Sequence, residues 1–275
     1  MIDTPVADDT PEGSPQRPLP LVYGSHPDQV ADLHLPDRPG PDRLPLVLFF
    51  HGGFWRAAHD RQHTGAFADA LARDGGCAVA NVEYRRVGAG GGWPTTLEDT
   101  ARAVDGLPEL AARAAPGRID TDRVVYAGHS AGGHLALWAA ARHRLPADAP
   151  GRTEAPAPVR GVLALAPTAD LAHADRLGSG RGAVADFLGG SSAEVPERYA
   201  AADPAVLGTP AGRTVVVHGT DDEALPVDMS RAYTRTTGTT LTEIPHGSHF
   251  DVIDPDSAAW PPVTRALRAL VETLG

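Results

Sequence analysis

The segment Gly128-His129-Ser130-Ala131-Gly132 sets a serine between two glycines at a change from strand-like to helix-like sequence. Residues 123–127 before it are β-prone, and residues 133–141 after it favour a helix. A sharp turn leaves no room for Cβ atoms beside the serine, which explains the flanking glycines. A strand, a sharp turn and a helix in this order are typical of a nucleophile elbow, where a serine hydroxyl points out of a sheet.

Strand-like and helix-like stretches alternate along the chain. Short apolar runs typical of strands occupy residues 21–35 (one or two strands), 44–50, 77–84, 123–127, 159–166, 213–218 and 239–244. Patterns typical of helices occupy residues 64–73, 95–115, 133–141 and 257–274. This alternation predicts an α/β fold with a mostly parallel central sheet and helices on both faces.

The chain has 275 residues, which is enough for one large α/β domain with a substantial core. Residues 1–18 are rich in Pro, Asp, Thr and Gly, so we expect a flexible N-terminal tail before a single domain over residues 19–275. Residues 168–209 interrupt the alternation without a clear strand. Two interpretations of them are open, namely a small cap over the functional site or a connecting loop with short helices.

Composition argues against several classes of function. The 24 basic and 35 acidic residues give a formal charge of −11, which disfavours a nucleic-acid partner or an anionic membrane surface. The first residues lack the pattern of a signal peptide, and no apolar run is long enough to span a bilayer. We therefore expect a cytoplasmic monomer or homodimer that acts on a small molecule.

Neither a disulfide nor a metal is expected from the sequence. The single cysteine, Cys77, allows no internal disulfide and fits a small buried hydrophobe. The chain has no His-Glu-x-x-His motif, cysteine cluster or carboxylate ladder. We therefore expect no catalytic metal and no cofactor.

A serine nucleophile needs a base to take its proton and an acid to orient that base. In chains with this elbow, the order is serine, then acid, then histidine. Three acidic residues, Asp221, Asp222 and Glu223, follow the strand-like run that ends at His218. The spacing His-Gly-x-x-Asp-x-x-x-Pro favours Asp222 as the orienting acid, with the other two as solvated loop charges.

The base is expected after the last strand, where Pro245-His246-Gly247-Ser248-His249-Phe250 offers two histidines. His249 is favoured because it adjoins Phe250, which we expect to pack this loop back onto the core. His246 lies nearer the strand and is typical of a surface histidine. Ser130, Asp222 and His249 are therefore the candidate catalytic residues.

An oxyanion that forms during attack on a carbonyl requires nearby N–H donors. One donor is the amide of Ala131, directly after the candidate nucleophile. The others are expected from Gly53 and Phe54 in the glycine-containing segment 51–55, which directly follows a strand. His51 is expected to hold the shape of this loop. The alternative interpretation of the His-Gly-Gly segment is a plain turn without a role in catalysis.

Two further side chains are candidates for the substrate pocket. Trp55 ends the glycine-containing segment, and His129 precedes the candidate nucleophile. We expect Trp55 to line or floor the acyl pocket, and His129 is the second residue that we assign to the substrate pocket.

These motifs resemble those of the α/β-hydrolase superfamily over about residues 20–275. His51-Gly52-Gly53-Phe54-Trp55 is similar to the HGGxW loop of kynurenine formamidase-like proteins and small esterases. Phe54 stands where the hormone-sensitive-lipase group usually has a third glycine. Further likeness lies in residues 23–24, 32–36, 81–85, 93–94 and 99. The resemblance implies a Ser130–His249–Asp222 triad with oxyanion donors at Gly53 and Phe54.

Three functions remain open at this level. The first is a serine hydrolase that cleaves a small carboxylic ester through an acyl-enzyme. The second is an arylformamidase that cleaves an N-formylkynurenine-type amide, suggested by the HGGxW loop. The third is a non-hydrolytic binding or modifying protein on the same fold, which the intact set of Ser, Asp and His candidates disfavours.

Overall fold

Eight strands form one sheet in this computed structural model, which describes residues 17–37 and 43–272. The strands are β1 Leu19–Val22, β2 Val30–His34, β3 Leu44–Phe50, β4 Ala78–Val82, β5 Ile119–His129, β6 Gly161–Leu165, β7 Arg213–Gly219 and β8 Thr240–Ile244. Their order across the sheet is β1-β2-β4-β3-β5-β6-β7-β8. β2 pairs antiparallel with both of its neighbours, and the pairs from β4 to β8 are parallel. The predicted α/β architecture with a mostly parallel sheet is confirmed.

Helices cover both faces of this sheet. They are α1 Gly65–Gly75, α2 Thr95–Ala114, α3 Ala131–Ala140, α4 Leu171–Arg176, α5 Ala183–Leu188, α6 Pro196–Ala202, α7 Pro204–Leu207, α8 Val227–Thr237 and α9 Trp260–Val271. None of the helices within the described ranges is long and apolar enough to cross a membrane.

The central strand β3 shows why its sequence is apolar at nearly every position. Leu46, Leu48 and Phe50 join the core under α2 and α3, whereas Val47 and Phe49 join the core under α1 and α9. Successive side chains of a strand point to opposite faces, so a strand covered on both sides buries all of them. All residues of β3 are accordingly buried.

Helix α8 was not expected from the sequence. Its threonines at 234, 236 and 237 lower helix propensity because a β-branched side chain loses rotamer freedom. Their hydroxyls bond to carbonyl groups of the same helix, as Thr234 does to Ser230 at 2.8 Å and Thr237 does to Tyr233 at 2.9 Å. Tertiary packing also stabilises the helix, since its residues Met229 and Tyr233 are buried.

Residues 168–209 contain the short helices α4 to α7 and pack beside the loop at 51–55. Phe187 of α5 stacks on Trp55 with ring centroids 4.6 Å apart. The Trp138 indole of α3 donates a hydrogen bond of 2.9 Å to the carbonyl of Ala201. This placement is compatible with the cap interpretation, which stays a prediction. The tail prediction concerns residues 1–18, of which 1–16 lie outside the described residues.

Candidate active site

The candidate nucleophile sits at the junction between β5 and α3. Ser130 has φ 56° and ψ −118°, a backbone conformation with positive φ that residues other than glycine rarely adopt. Its amide donates to the carbonyl of Leu165 on β6 at 2.9 Å, and its carbonyl accepts from the amide of His134 at 3.0 Å. The neighbouring strand and the new helix therefore hold this strained turn in place.

The glycines beside this serine are required by close backbone contacts. A Cβ atom on Gly132 would lie 1.9 Å from the carbonyl oxygen of Phe50, at the end of β3. A Cβ atom on Gly128 would lie 2.2 Å from the carbonyl oxygen of Gly132. Helix α3 thus begins directly against the carboxyl end of β3, which also leads into the loop at 51–55.

The Asp222 carboxylate lies in the loop after β7 and accepts hydrogen bonds on both oxygens. Oδ2 accepts from His249 Nδ1 at 2.6 Å and from His218 Nε2 at 3.1 Å, and Oδ1 accepts from the amides of Ala224 and Leu225 at 2.8 Å. Burial alone would raise the pKa of Asp222, but the hydrogen bonds from His218 and His249 outweigh it and hold that pKa well below its usual range. Asp222 is therefore a carboxylate fixed against His249.

The alternative acid and base lie apart from this pair. Asp221 faces His246 at 3.3 Å, and both side chains are mostly exposed. Glu223 is exposed. The structure therefore pairs His249 with Asp222 and His246 with Asp221.

His218 is a residue of this site whose role the sequence did not reveal. Its Nε2 also lies 3.1 Å from the carbonyl of Leu225, so this nitrogen donates, and Nδ1 accepts from the Ser230 hydroxyl at 2.7 Å. His218 thereby fixes the carboxylate of Asp222 from the side opposite His249. His218 is the first residue of the His-Gly-x-x-Asp spacing, which in the sequence indicates only the choice of Asp222 as the acid.

Ser130 and His249 are brought to the same end of the sheet through His129. The His129 ring lies 4.6 Å from the His249 ring between centroids, and its Nε2 donates to the His249 carbonyl at 2.9 Å. Among the described residues, the Ser130 hydroxyl forms no hydrogen bond. Catalytic hydrogen bonds are often long in substrate-free structures and shorten when substrate binds.

The loop at 51–55 passes directly beside the candidate nucleophile. A Cβ atom on Gly52 would lie 3.2 Å from the Cβ of Ser130. Gly53, Phe54 and Trp55 have φ values of 109°, 56° and 57°, so three successive residues adopt left-handed or related conformations. Successive backbone N–H groups in turn conformations can form a concave anion-binding site.

His51 fixes the orientation of the Gly53 amide, the first candidate oxyanion donor. Its Nδ1 donates to the carbonyl of Gly52 at 2.7 Å. In a trans peptide the carbonyl and the following N–H point in opposite directions, so this bond turns the Gly53 N–H away from the His51 ring. The amides of Gly53, Phe54 and Ala131 donate no hydrogen bond within residues 17–37 and 43–272, which leaves all three free for a ligand oxygen.

Glu83 holds His51 in turn. Its carboxylate lies 3.0 Å from His51 Nε2 and also accepts from the amides of Arg61 at 2.9 Å and Tyr84 at 3.0 Å. Burial would raise the pKa of Glu83, but the contacts with His51 and the hydrogen bonds from the amides of Arg61 and Tyr84 together lower that pKa. Both ring nitrogens of His51 face oxygen atoms, of Gly52 and of Glu83, so hydrogen bonds hold the ring from two sides. The Tyr84 ring stacks on it at 4.5 Å.

The two predicted pocket residues are almost fully enclosed. Trp55 is 1% exposed, stacks on Phe187 and meets the His134 ring edge-on at 5.2 Å. His129 is 2% exposed and contacts His249. Their pocket role stays a prediction, and in this structure their contacts are with other side chains of the site.

The expectation that Phe250 packs the loop onto the core is wrong. Its side chain is 65% exposed, and Val252, which is fully buried, takes the inward position instead. The Phe250 ring remains beside the site, edge-on to His249 at 5.2 Å.

Neither the cysteine nor a cluster of possible metal ligands provides another source of chemistry among the described residues. Cys77 is fully buried, and burial raises the pKa of its thiol to about 12, which makes it an inert core residue. Within the described residues, no cluster of three or more His, Cys, Asp or Glu side chains is arranged to hold a metal ion.

We expect the free energy of unfolding to fall as the pH is lowered from 7 to 5, because His129 and His134 are buried in neutral form. Burial lowers the pKa of His129 to about 3 and that of His134 to about 4. A histidine in the unfolded chain has a pKa of about 6.5. Below that pH the unfolded chain binds protons that the folded chain does not, so acid favours unfolding. Urea unfolding at about pH 7, 6 and 5 should show a loss of about 2 kcal/mol per histidine by the lowest pH.

His134→Gln provides the control for this pH dependence. His134 Nε2 donates to the carbonyl of Ala202 at 2.9 Å, and a glutamine amide can replace that donor without titrating. The variant should therefore lose the part of the slope that His134 contributes, while the part from His129 remains. An identical slope in the variant and the parent would contradict the assignment to His134.

Comparison with known proteins gives a family match and a partial likeness to a curated protein. The model of the BD-FAE family matches residues 31–236. Kynurenine formamidase from Danio rerio is 29% identical over 121 residues, which make up 44% of this chain and 38% of that protein. The matched region thus spans well under half the length of that relative.

Solved structures resemble nearly the whole chain. A truncated carbohydrate esterase from gut microbiota has a TM-score of 0.75 at 18% identity, covering 93% of this chain and 95% of that one. Esterase B from Lactobacillus rhamnosis has a TM-score of 0.75 at 20% identity, covering 93% and 85%. A thermophilic esterase from Thermogutta terrifontis has a TM-score of 0.68 at 19% identity, covering 94% and 97%. At such identities these likenesses establish the fold, which is that of the α/β hydrolases.

Proposed function

Since this chain belongs to the BD-FAE family, we propose that it is a serine hydrolase that cleaves a small carboxylic ester through an acyl-enzyme. The observation that carries the proposal is the 2.6 Å hydrogen bond between His249 and Asp222, at the same sheet edge as the strained turn of Ser130. The esterases that share the fold support the reaction class.

The proposed reaction begins with Ser130. Because Asp222 accepts the proton on His249 Nδ1, the Nε2 atom of the neutral ring carries a lone pair. Nε2 takes the proton of the Ser130 hydroxyl as the oxygen attacks the ester carbonyl carbon. The resulting imidazolium is stabilised by the carboxylate of Asp222, which stays ionised because its pKa is lowered.

The charge that develops on the carbonyl oxygen is proposed to be bound by three amides. They are those of Ala131, at the start of α3, and of Gly53 and Phe54. A donor of this kind contributes about 3–4 kcal/mol to stabilisation of the transition state.

His249 then gives its proton to the leaving alcohol oxygen, so the C–O bond breaks and an acyl-serine remains. A water molecule attacks this ester with His249 again as the base, and the carboxylic acid is released with Ser130 restored. One histidine thus serves each half-reaction in turn.

A second candidate is arylformamidase activity. The segment that is 29% identical to kynurenine formamidase favours it. The same residues would attack a formyl carbonyl, with an arylamine as the leaving group in place of an alcohol. A non-hydrolytic protein is the third candidate, and it requires that Ser130 be unreactive.

A serine-directed fluorophosphonate probe tests the proposal. We expect one probe per folded chain, attached to Ser130 and located by peptide mass spectrometry, because the probe reports an activated hydroxyl. Turnover of short p-nitrophenyl esters and of N-formylkynurenine then separates the two hydrolytic candidates. Ester cleavage without formamide cleavage removes the second candidate, whereas a folded chain that stays unlabelled and cleaves neither supports the third.

A further inference from the structure

An exposed aromatic side chain adjoins the candidate base. Among the described residues, five large apolar side chains are exposed by more than a third, at 37–65%, and Phe250 is the aromatic one. The other four are Leu19, Val22, Leu177 and Val206. A single exposed apolar residue is ordinary on a protein surface, so the position of Phe250 carries the argument.

The Phe250 ring is held against the two histidines of the site. It is edge-on to His249, with centroids 5.2 Å apart and an angle of 82°, and tilted to His129 at 5.9 Å and 45°. These separations are those of interacting aromatic rings. The ring therefore has a fixed place beside the base although two thirds of its surface faces solvent.

The backbone of this loop is also anchored. The amide of Ile253 donates to the carbonyl of Phe250 at 2.9 Å, and the amide of Ser248 donates to the Asp251 carboxylate at 2.7 Å. Val252 is fully buried and fixes the loop to the core. Phe250 is thus presented outward by an ordered turn, which keeps its open face available at little cost in chain entropy.

The chemistry of proton transfer defines which part of a substrate reaches this ring. His249 must lie within hydrogen-bond distance of the leaving oxygen when it donates its proton. The alcohol group attached to that oxygen must then lie beside the side chains that flank His249. The acyl part bound to Ser130 points elsewhere, because the carbonyl carbon separates the two.

We propose that Phe250 is a specificity-determining residue that binds the leaving group, and that the preferred substrates carry a planar aromatic ring on the leaving side. This inference rests on the proposed function. A planar ring can stack on the open face of Phe250 or meet it edge-on, and both arrangements are favourable for aromatic pairs. A short alkyl alcohol reaches too little of the same surface to gain comparable energy.

Acetate esters with different alcohols test this proposal on the full chain. We expect Phe250→Ala to lower kcat/KM for benzyl acetate about three- to tenfold more than for ethyl acetate, the range that corresponds to one aromatic pair. Phe250→Trp should keep the parent preference. Benzyl and ethyl esters share the acyl group, and kcat/KM reports the steps up to acylation, so later deacylation does not affect the ratio.

Two comparisons decide between binding and other roles of Phe250. An equal loss for benzyl and ethyl acetate would mean that Phe250 acts by orienting His249, and would overturn the proposal. An equal loss for benzyl and cyclohexylmethyl acetate would overturn the requirement for an aromatic ring. Val22→Ala, an equally exposed apolar residue on the edge strand β1, is the matched control and should leave all three rates unchanged.

Failure of this inference is distinguishable from failure of the proposed function. Fluorophosphonate labelling of the parent and of Phe250→Ala reports on Ser130 independently of the leaving group. Labelling of both proteins with no change in alcohol preference overturns the inference alone. An unlabelled parent overturns the proposed function and the inference with it.

Discussion

Replacing Ser130 by alanine should reduce kcat for the best ester substrate by about 10⁶-fold, the loss that follows removal of the nucleophile from a Ser-His-Asp hydrolase. Without the hydroxyl no acyl-enzyme forms, and only binding and the oxyanion donors remain to assist a water molecule. The substitution keeps the Cβ atom, so the backbone conformation at φ 56° retains its strain in the variant. We therefore expect the thermal midpoint to change little while turnover is lost.

The measurement is steady-state ester hydrolysis by parent and variant, with circular dichroism to establish that both are folded. Ser191→Ala is the matched control, because the Ser191 hydroxyl bonds to exposed Glu194 and lies on another part of the chain. It should hydrolyse the ester at the parent rate. A Ser130→Ala protein with parent turnover would show that another group performs the attack.

The strands and most helices of this fold could be predicted because their signals are local. The continuous apolar run of β3 is what burial on two faces requires, and the structure buries every one of its residues. Helix α8 could not be predicted in the same way. Its threonines have low helix propensity, and its apolar residues are explained only by their burial in the folded protein. Tertiary contact outweighs local propensity there.

The position of the candidate site was also predictable from local patterns. The loops that follow β3, β5, β7 and β8 lie at the carboxyl ends of parallel strands, and these ends meet at one edge of a sheet. The residues that support the site were not predictable, because their partners are distant in the chain. Glu83 holds His51 across a separation of 32 residues, and nothing in the local sequence of either specifies that contact.

Phe250 shows a different kind of limit. An apolar residue beside a candidate base can either anchor its loop in the core or stay exposed to solvent. The direction in which each side chain of the turn points decides between the two. Val252, two residues later, turns inward and fills the available space, so Phe250 turns outward. Sequence gives the residue type, while packing selects which of two neighbouring apolar residues is buried.

Asp222→Asn is the second variant for which we expect a large effect, a decrease of about 10⁴-fold in kcat at neutral pH. The oxygen of the asparagine can still accept from the amides of Ala224 and Leu225, which leaves its NH₂ group facing His249 Nδ1. His218 Nε2 loses its acceptor on residue 222 but keeps the carbonyl of Leu225. Nδ1 must then accept, so the proton of the neutral ring moves to Nε2. A histidine in that tautomer cannot take the proton of Ser130.

Asp221→Asn separates this effect from a general loss of negative charge in the loop. Asp221 is the adjacent residue, and its exposed carboxylate faces the exposed His246 rather than His249. Its replacement should leave kcat within about twofold, since exposed ion pairs contribute little. The same pair of variants should differ in the rate of fluorophosphonate labelling, because that rate depends on proton removal from Ser130. Equal rates for the two variants would mean that the carboxylate of Asp222 does not set the tautomer of the base, and that the strong hydrogen bond to His249 serves the fold alone.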